Sequence, residues 1–434
     1  MNRAYSITAA DLAARGKDGI PPELLSSAHL IYSSPATLAF NSPGAQGFGV
    51  KRAGLAVPGS VMLLVAPACC GRNTSALGCE AALAERFFYL MQDDTDIVTG
   101  RHLARIPEAV KEVCDSCAVR PSAVMICITC VDALLGTDME RVCRKASDYA
   151  GVPVVPCYMY ALTREGRLPP MVSVRRSVYS LLQPREKVTS SVNILGFFSP
   201  LRDDSELYTL LRSAGVRTIR EISRCADYAE YQAMAEANFN LVLNQEARHA
   251  AADLQKRLGI PSVELARLYQ TDKIANQYRL LGQAVGAEFD DAVFREQAEQ
   301  AVADFRDKYG ARTFAVGEWL NADPFELSLA LIRGGFHVSE IFGTVGGSNF
   351  VYVKKIAALS PGTRIYSNLS PTMMFYDGTD ASCDTVIGRD AMYYHPDLPG
   401  VPWNEERQPF GYAGVSALFD ALGKELSAKE KTVR

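Results

Sequence analysis

Short runs rich in Val and Ile recur along this 434-residue chain, each followed by a segment of helical period, and they constrain the fold more than any other feature. The runs are Val61–Ala66, Ala123–Ile128, Val152–Pro156, Val192–Phe197, Phe239–Leu243, Arg312–Val316, His337–Phe342 and Asp384–Ile387. Amphipathic stretches lie between them: Leu77–Leu90, Leu103–Val113, Asp132–Tyr149, Ser205–Ser213, Ala247–Leu258 and Asp291–Tyr309. A strand that is apolar on both sides must be covered on both faces, and strands alternating with helices pair in parallel. The fold class expected is therefore α/β, with mainly parallel sheets.

Two breaks divide the series. Pro184, Arg185, Glu186 and Lys187 precede the strand VNILGFF, and the long polar helix Asp291–Tyr309 precedes RTFAVGEWL. Three domains follow: 1–188, 189–290, and 291–434 with a C-terminal helix. No repeat of 20–50 residues is visible in the chain. In open α/β sheets, ligands bind beyond the carboxyl ends of the strands, so the residues just after each run matter most.

Composition narrows the function. With 45 Lys+Arg against 49 Asp+Glu and no basic run, the chain lacks the electrostatic footprint of a nucleic-acid binder. The opening MNRAYSITAADLAARGKDG has no apolar core of a secretory leader, and no apolar run is long enough to span a bilayer. A cytoplasmic protein is expected, its 11 cysteines kept reduced.

Several of those cysteines sit at strand ends: Cys69 and Cys70 after Val61–Ala66, Cys130 after Ala123–Ile128, and Cys157 after Val152–Pro156. A helix N-terminus stabilises a thiolate, the form that binds iron or zinc, which makes Cys70 and Cys130 the best ligand candidates. The alternative is that small cysteines fill tight strand–helix turns. The spacing Cys114-x2-Cys117-x9-Cys127-x2-Cys130 resembles a zinc ribbon. Its context argues against one, because Cys114 closes an amphipathic helix and Cys127 lies inside an apolar strand. There is no P-loop motif, so nucleotide hydrolysis has to come from another protein. Gly44, Gly47 and Gly49 have the wrong spacing for a dinucleotide fingerprint, and neither G-x-S-x-G nor H-E-x-x-H occurs.

The segments PGAQGFG, VMLLVAPACCGRN, MQDDTDIVTG, MICITCVDALLGTDMERV and AGVPVVPCY resemble the first domain of nitrogenase component 1 proteins. The similarity continues through FNLVLNQEARHAAADLQKRLGIPSVEL and CDTVIGRDAMYYHPDLPGVPW, and so covers nearly the whole chain. This resemblance implies three Rossmann-like domains around a central cleft. It also implies a dimeric, anaerobic oxidoreductase that takes electrons from an ATP-dependent iron–sulfur reductase.

Family members hold an iron–sulfur cluster at the subunit interface with up to three cysteines per subunit. Two of these match Cys70 and Cys130, with Cys69 a possible substitute, while the first falls at Phe40, which cannot ligate. Two thiolates per subunit give four across a two-fold axis, the number a [4Fe–4S] cluster takes, so the resemblance implies a homodimer sharing one cluster. A heterodimer with a paralogous subunit is the other arrangement. Catalytic nitrogenase anchors its large cluster by a cysteine after the second-domain strand and a histidine in the third domain. Here FNLVLN ends at Asn244, and the stretch Trp403, Asn404, Glu405, Glu406, Arg407 has no histidine. A true dinitrogen-reducing subunit is therefore not expected.

Cleft candidates are Arg72, Asn73, Tyr158, Arg164, Arg167, Asn244, Gln245, Glu246, Arg248, Arg407 and Tyr412, the arginines suggesting an anionic ligand. Arg72, Tyr158, Asn244, Arg248 and Arg407 are the leading cofactor-binding residues. His395 and Glu246 are the candidate proton donors. The expected function is reduction of a ligand in the cleft, with a non-catalytic scaffold for metallocluster or cofactor assembly as the alternative.

Overall fold

The computed structural model describes residues 3–25, 49–68, 83, 85–159, 168–379 and 381–433. Phe40, Cys69, Cys70, Arg72, Asn73, Arg164, Arg167 and most of the glycine-rich segment lie outside these residues, as does the side chain of Cys130. Those described within 46–200 and 215–266 make one compact unit, and those within 1–45, 201–214 and 267–434 make the other.

The first of these units carries two four-stranded sheets. One is built from β2 (Val61–Pro67), β3 (Phe87–Gln92), β4 (Val124–Ile128) and β5 (Val154–Tyr158) in the order β3-β2-β4-β5. The next is built from β6 (Val188–Leu195), β7 (Thr218–Glu221), β8 (Ala237–Val242) and β9 (Ser262–Glu264) in the order β7-β6-β8-β9. Every pairing in both is parallel. Strand β2 shows why its sequence is apolar throughout: Met62, Leu64 and Ala66 enter one core, and Val61, Leu63 and Val65 enter another. The second core is closed by helices His102–Ser116 and Met139–Ala150 through Ile106, Val110, Val142 and Ala146. Each of the isoleucine and valine side chains removed from water contributes about 1.5–3 kcal/mol.

The other unit carries the third sheet, made from β10 (Thr313–Val316), β11 (His337–Phe342), β12 (Arg364–Tyr366), β13 (Thr385–Ile387) and β14 (Gly400–Val401). The N-terminal strand β1 (Ile7–Thr8) pairs antiparallel with β12, giving the order β1-β12-β11-β10-β13-β14. The remaining pairs are parallel. The mixed α/β architecture with Rossmann-like parallel sheets is thus the one expected. In each sheet the first of the parallel strands (β2, β6 and β10) lies inside the sheet and the order reverses beside it, which is the topological switch point. No helix among the described residues is long and apolar enough to cross a membrane.

Two helix expectations are corrected. Phe87–Leu90, read as the end of a helix, belongs to β3, in full parallel register with β2 from Met62↔Phe87 to Pro67↔Gln92. Its aromatic run suits an edge strand, where Tyr89 and Met91 face outward. The segment Asp132–Tyr149 is two helices, Cys130–Leu134 and Met139–Ala150. Asp138 caps the second by accepting a hydrogen bond from the Arg141 amide, at 2.9 Å.

Candidate functional site

The first sheet's switch point lies between the carboxyl ends of β2 and β4. Strand β2 stops at Pro67, two residues before Cys69, and the backbone passes from β4 into a helix at Cys130. The motif MQDDTDIVTG builds the neighbouring edge. Asp93 caps helix Asp94–Thr99, and the buried Asp96 accepts from Arg101 Nε at 2.6 Å and Arg105 Nη1 at 2.5 Å. Its carbonyl meets His102 Nδ1 at 3.1 Å, and His102 Nε2 lies 3.4 Å from Asp132 Oδ1. Burial raises the Asp132 carboxyl above its usual range, although His102 counters it. Both side-chain polar atoms of Gln92 and the Thr129 hydroxyl are buried at this edge with no hydrogen-bond partner among the described residues. Cys127 is fully buried inside β4 and Cys114 is buried at its helix end. Cys157 is also buried, and burial pushes its thiol far up.

Asn244 and Glu246 come together at the second switch point. Gly196 follows β6 at φ 124°, and a Cβ there would meet Asn244 N at 2.7 Å and Asn244 Cβ at 2.8 Å, so only glycine fits. The Asn244 side chain turns back on its own chain: Oδ1 accepts from the Glu246 amide at 2.9 Å and caps the short turn Gln245–Ala247. Glu246 pairs with Arg175 Nη1 at 2.7 Å, and Arg175 also donates to the carbonyls of Gly196 and Met171, each at 2.9 Å. The guanidinium lies over the Phe198 ring at 5.0 Å. Burial pulls Arg175 below its usual value, and Glu246 works against that. Arg175 was missed in the sequence. Its signal is an arginine on the buried stripe of helix Pro170–Ser180, between Val172 and Val178.

The other expected ligand-binding residues are engaged locally. Arg248 grips Glu264 with two bonds of 2.6 and 2.5 Å, and the Tyr158 hydroxyl donates to Glu140 at 2.5 Å. In the other unit, Arg407 pairs with Asp203, and the Tyr412 hydroxyl donates to Asp291 at 2.6 Å.

His395 lies in that second unit, within the core under the third sheet. Its Nε2 is 3.0 Å from Glu340 Oε2, 2.9 Å from the Tyr376 hydroxyl and 3.8 Å from Cys383 Sγ. The Tyr376 hydroxyl also donates to Glu340, at 3.0 Å to either oxygen. Burial opposes a charge on His395, but Cys383 and Glu340 outweigh it and hold the imidazole up to about 9. Rings of Phe342, Tyr366 and Tyr394 surround the group. Glu340 and Cys383 were not singled out in the sequence, because 55 and 12 residues separate them from His395.

A family model for nitrogenase component 1 type oxidoreductases matches residues 45–427. Relatives include the nitrogenase iron-molybdenum cofactor biosynthesis protein NifE of Rhodobacter capsulatus, 28% identical over 210 residues, which are 46% of this chain and 44% of that protein. NifE of Bradyrhizobium diazoefficiens is 24% identical over 362 residues, 77% of this chain and 64% of that protein. The first alignments span about half the length of the curated relatives, 39% to 53% of each. Among solved structures, nitrogenase Cp1 at pH 6.5 has the same fold, with a TM-score of 0.68 at 16% identity over 95% of this chain and 96% of that one.

Proposed function

Because the chain belongs to the nitrogenase component 1 type oxidoreductase family, we propose that it is a scaffold that receives, holds and hands over a metallocluster during cofactor assembly. The observation that carries this reading is Asn244. At the strand end where catalytic relatives place a permanent thiolate anchor, this chain has an amide, and that amide is committed to capping its own turn. An amide is a poor ligand for soft iron–sulfur chemistry, so cargo at this strand end would be held without a covalent anchor. The cofactor-biosynthesis role of the NifE relatives supports the same reading.

Cys70 and Cys130, with Cys69 as substitute, are the residues that would hold a resident [4Fe–4S] cluster shared between two copies of the chain, or between this chain and a paralogous subunit. The thiol donor set fits such a cluster, and so does the position of Cys130 at the first sheet's switch point. When bound, the cluster would supply one-electron transfer. A partner reductase hydrolysing ATP would supply the electrons, in the cytoplasm of an anaerobe. Loading the protein anaerobically with radiolabelled iron–sulfur cargo, then adding an acceptor, tests the proposal. Stoichiometric transfer of label supports it, and retention of label by the scaffold overturns it.

The second reading is a reductase of a small ligand, favoured by the family's oxidoreductase character. It would use Glu246 as proton donor to a ligand held by Arg72, Tyr158, Asn244 and Arg248, or His395 as proton donor in the other unit, where Arg407 is the candidate ligand-binding residue. Multiple turnovers of a substrate with MgATP, dithionite and the cognate reductase would establish it over the scaffold.

A further inference from the structure

We propose that Glu340, Cys383 and His395 form a binding site for a single divalent transition-metal ion of the zinc class, separate from the cysteines at the first sheet. The three side chains offer one carboxylate oxygen, one thiol sulfur and one imidazole nitrogen, all within 4.8 Å of one another. This is the mixed donor set that zinc takes readily, and a single thiol cannot build an iron–sulfur cluster.

The spacing also fits. Bond lengths of about 2.0–2.3 Å at tetrahedral angles put an imidazole nitrogen about 3.4 Å from a carboxylate oxygen. The same geometry puts sulfur about 3.6 Å from either of them. Here Nε2 to Oε2 is 3.0 Å, Nε2 to Sγ is 3.8 Å, and Sγ to Oε2 is 4.0 Å. An ion would need movements of a few tenths of an ångström, well within side-chain reach.

The surroundings support a built site. Glu340 and His395 are buried on separate elements, a strand and the loop after helix Arg389–Tyr394, so the fold itself brings them together. The Tyr376 hydroxyl donates to the carboxylate and would orient it, as hydrogen bonds around metal ligands commonly do. Glu340 also lines a cavity of about 300 Å³ together with Ser382, the neighbour of Cys383. Three protein ligands leave the fourth position of a tetrahedral ion for water.

The test is cobalt substitution in the full-length, chelator-treated protein. One equivalent of Co²⁺ that depends on Cys383 is expected, with the visible absorption of a tetrahedral ion and a thiolate-to-cobalt charge-transfer band. Cys383→Ser should remove that band and weaken cobalt binding at least about tenfold, and Glu340→Gln should weaken binding while keeping the band. Cys225→Ser, at a half-buried cysteine outside both sites, should leave both unchanged. Circular dichroism confirms that each variant folds. Failure of the wild-type protein to bind cobalt, or a cobalt stoichiometry and charge-transfer band undiminished in Cys383→Ser, overturns the assignment.

Discussion

The second and third sheets solve the same problem at their switch points and solve it differently. Each ends its central strand on a glycine pressed against a polar residue beyond the neighbouring strand: Gly196 against Asn244, and Gly317 against Asp390. In the third sheet the polar residue is a fully buried carboxylate. Asp390 accepts from the amides of Glu318 at 2.8 Å and Trp319 at 3.1 Å, and from Asn368 Nδ2 at 2.6 Å. In the second sheet the residue is an amide with one local bond, and the charge beside it is the Arg175–Glu246 pair, whose glutamate side chain is 42% exposed. The third sheet therefore closes its crevice with its own carboxylate, whereas the second leaves an ion pair at the surface. A crevice in an α/β sheet serves as a binding site only where the protein has not already satisfied it.

The sharpest way to break this comparison is Asp390→Ala. It strands three donors at once, the Asn368 amide fully buried and the other two partly so, and a loss of about 3 kcal/mol or more is expected as a lower urea midpoint. A loss near zero would mean that the third switch point is not held by its carboxylate.

A smaller effect should appear in the dependence on pH. Burial raises the Glu318 carboxyl from 4.5 to about 7, with Thr344 lowering it and Asp390 adding to the rise. The folded state then keeps a proton that the unfolded chain has released. Stability from this group is complete below about pH 4.5 and fades as pH rises through 7. Glu318→Gln keeps an acceptor for the Thr344 amide, which donates at 2.9 Å, and removes the titration. It should match wild type at pH 4 to 5 and exceed it by about 2–3 kcal/mol at pH 8, read from denaturation midpoints across that range. Parallel pH profiles for the two proteins would refute the closed-crevice picture.

These differences were only partly legible in the sequence. Each strand expected from a Val- and Ile-rich run is present, within a few residues, because a strand buried on both faces has no choice but to be apolar. The strands missed are at edges or are very short: β7 reads TIRE, β9 reads SVE, and both are largely half-buried or exposed, so nothing forces a pattern on them. Strand β3 was hidden because FFYLMQ continues an apolar stretch of helical period. At the sites, Asn244 and His395 stood out as residues after strands or in turns. Arg175, Glu340, Cys383 and Asp390 did not, since their meaning lies in partners tens of residues away that only the sheet order brings near.

The smallest effect expected on stability is the most informative about function. Asn244→Ala removes a turn cap and should cost about 0.5–1 kcal/mol, a shift just measurable against wild type. That modest cost distinguishes a cap from the buried carboxylate of the third sheet. Asn244→Cys removes the same cap, so it should be destabilised to the same small extent, but it adds a thiolate where catalytic relatives carry one. If the second crevice holds transient cargo, the cysteine variant should capture cluster as wild type does and release it to an acceptor much more slowly. Equal release from both proteins would mean that the cargo does not reach this strand end, and the open crevice of the second sheet would then need another occupant.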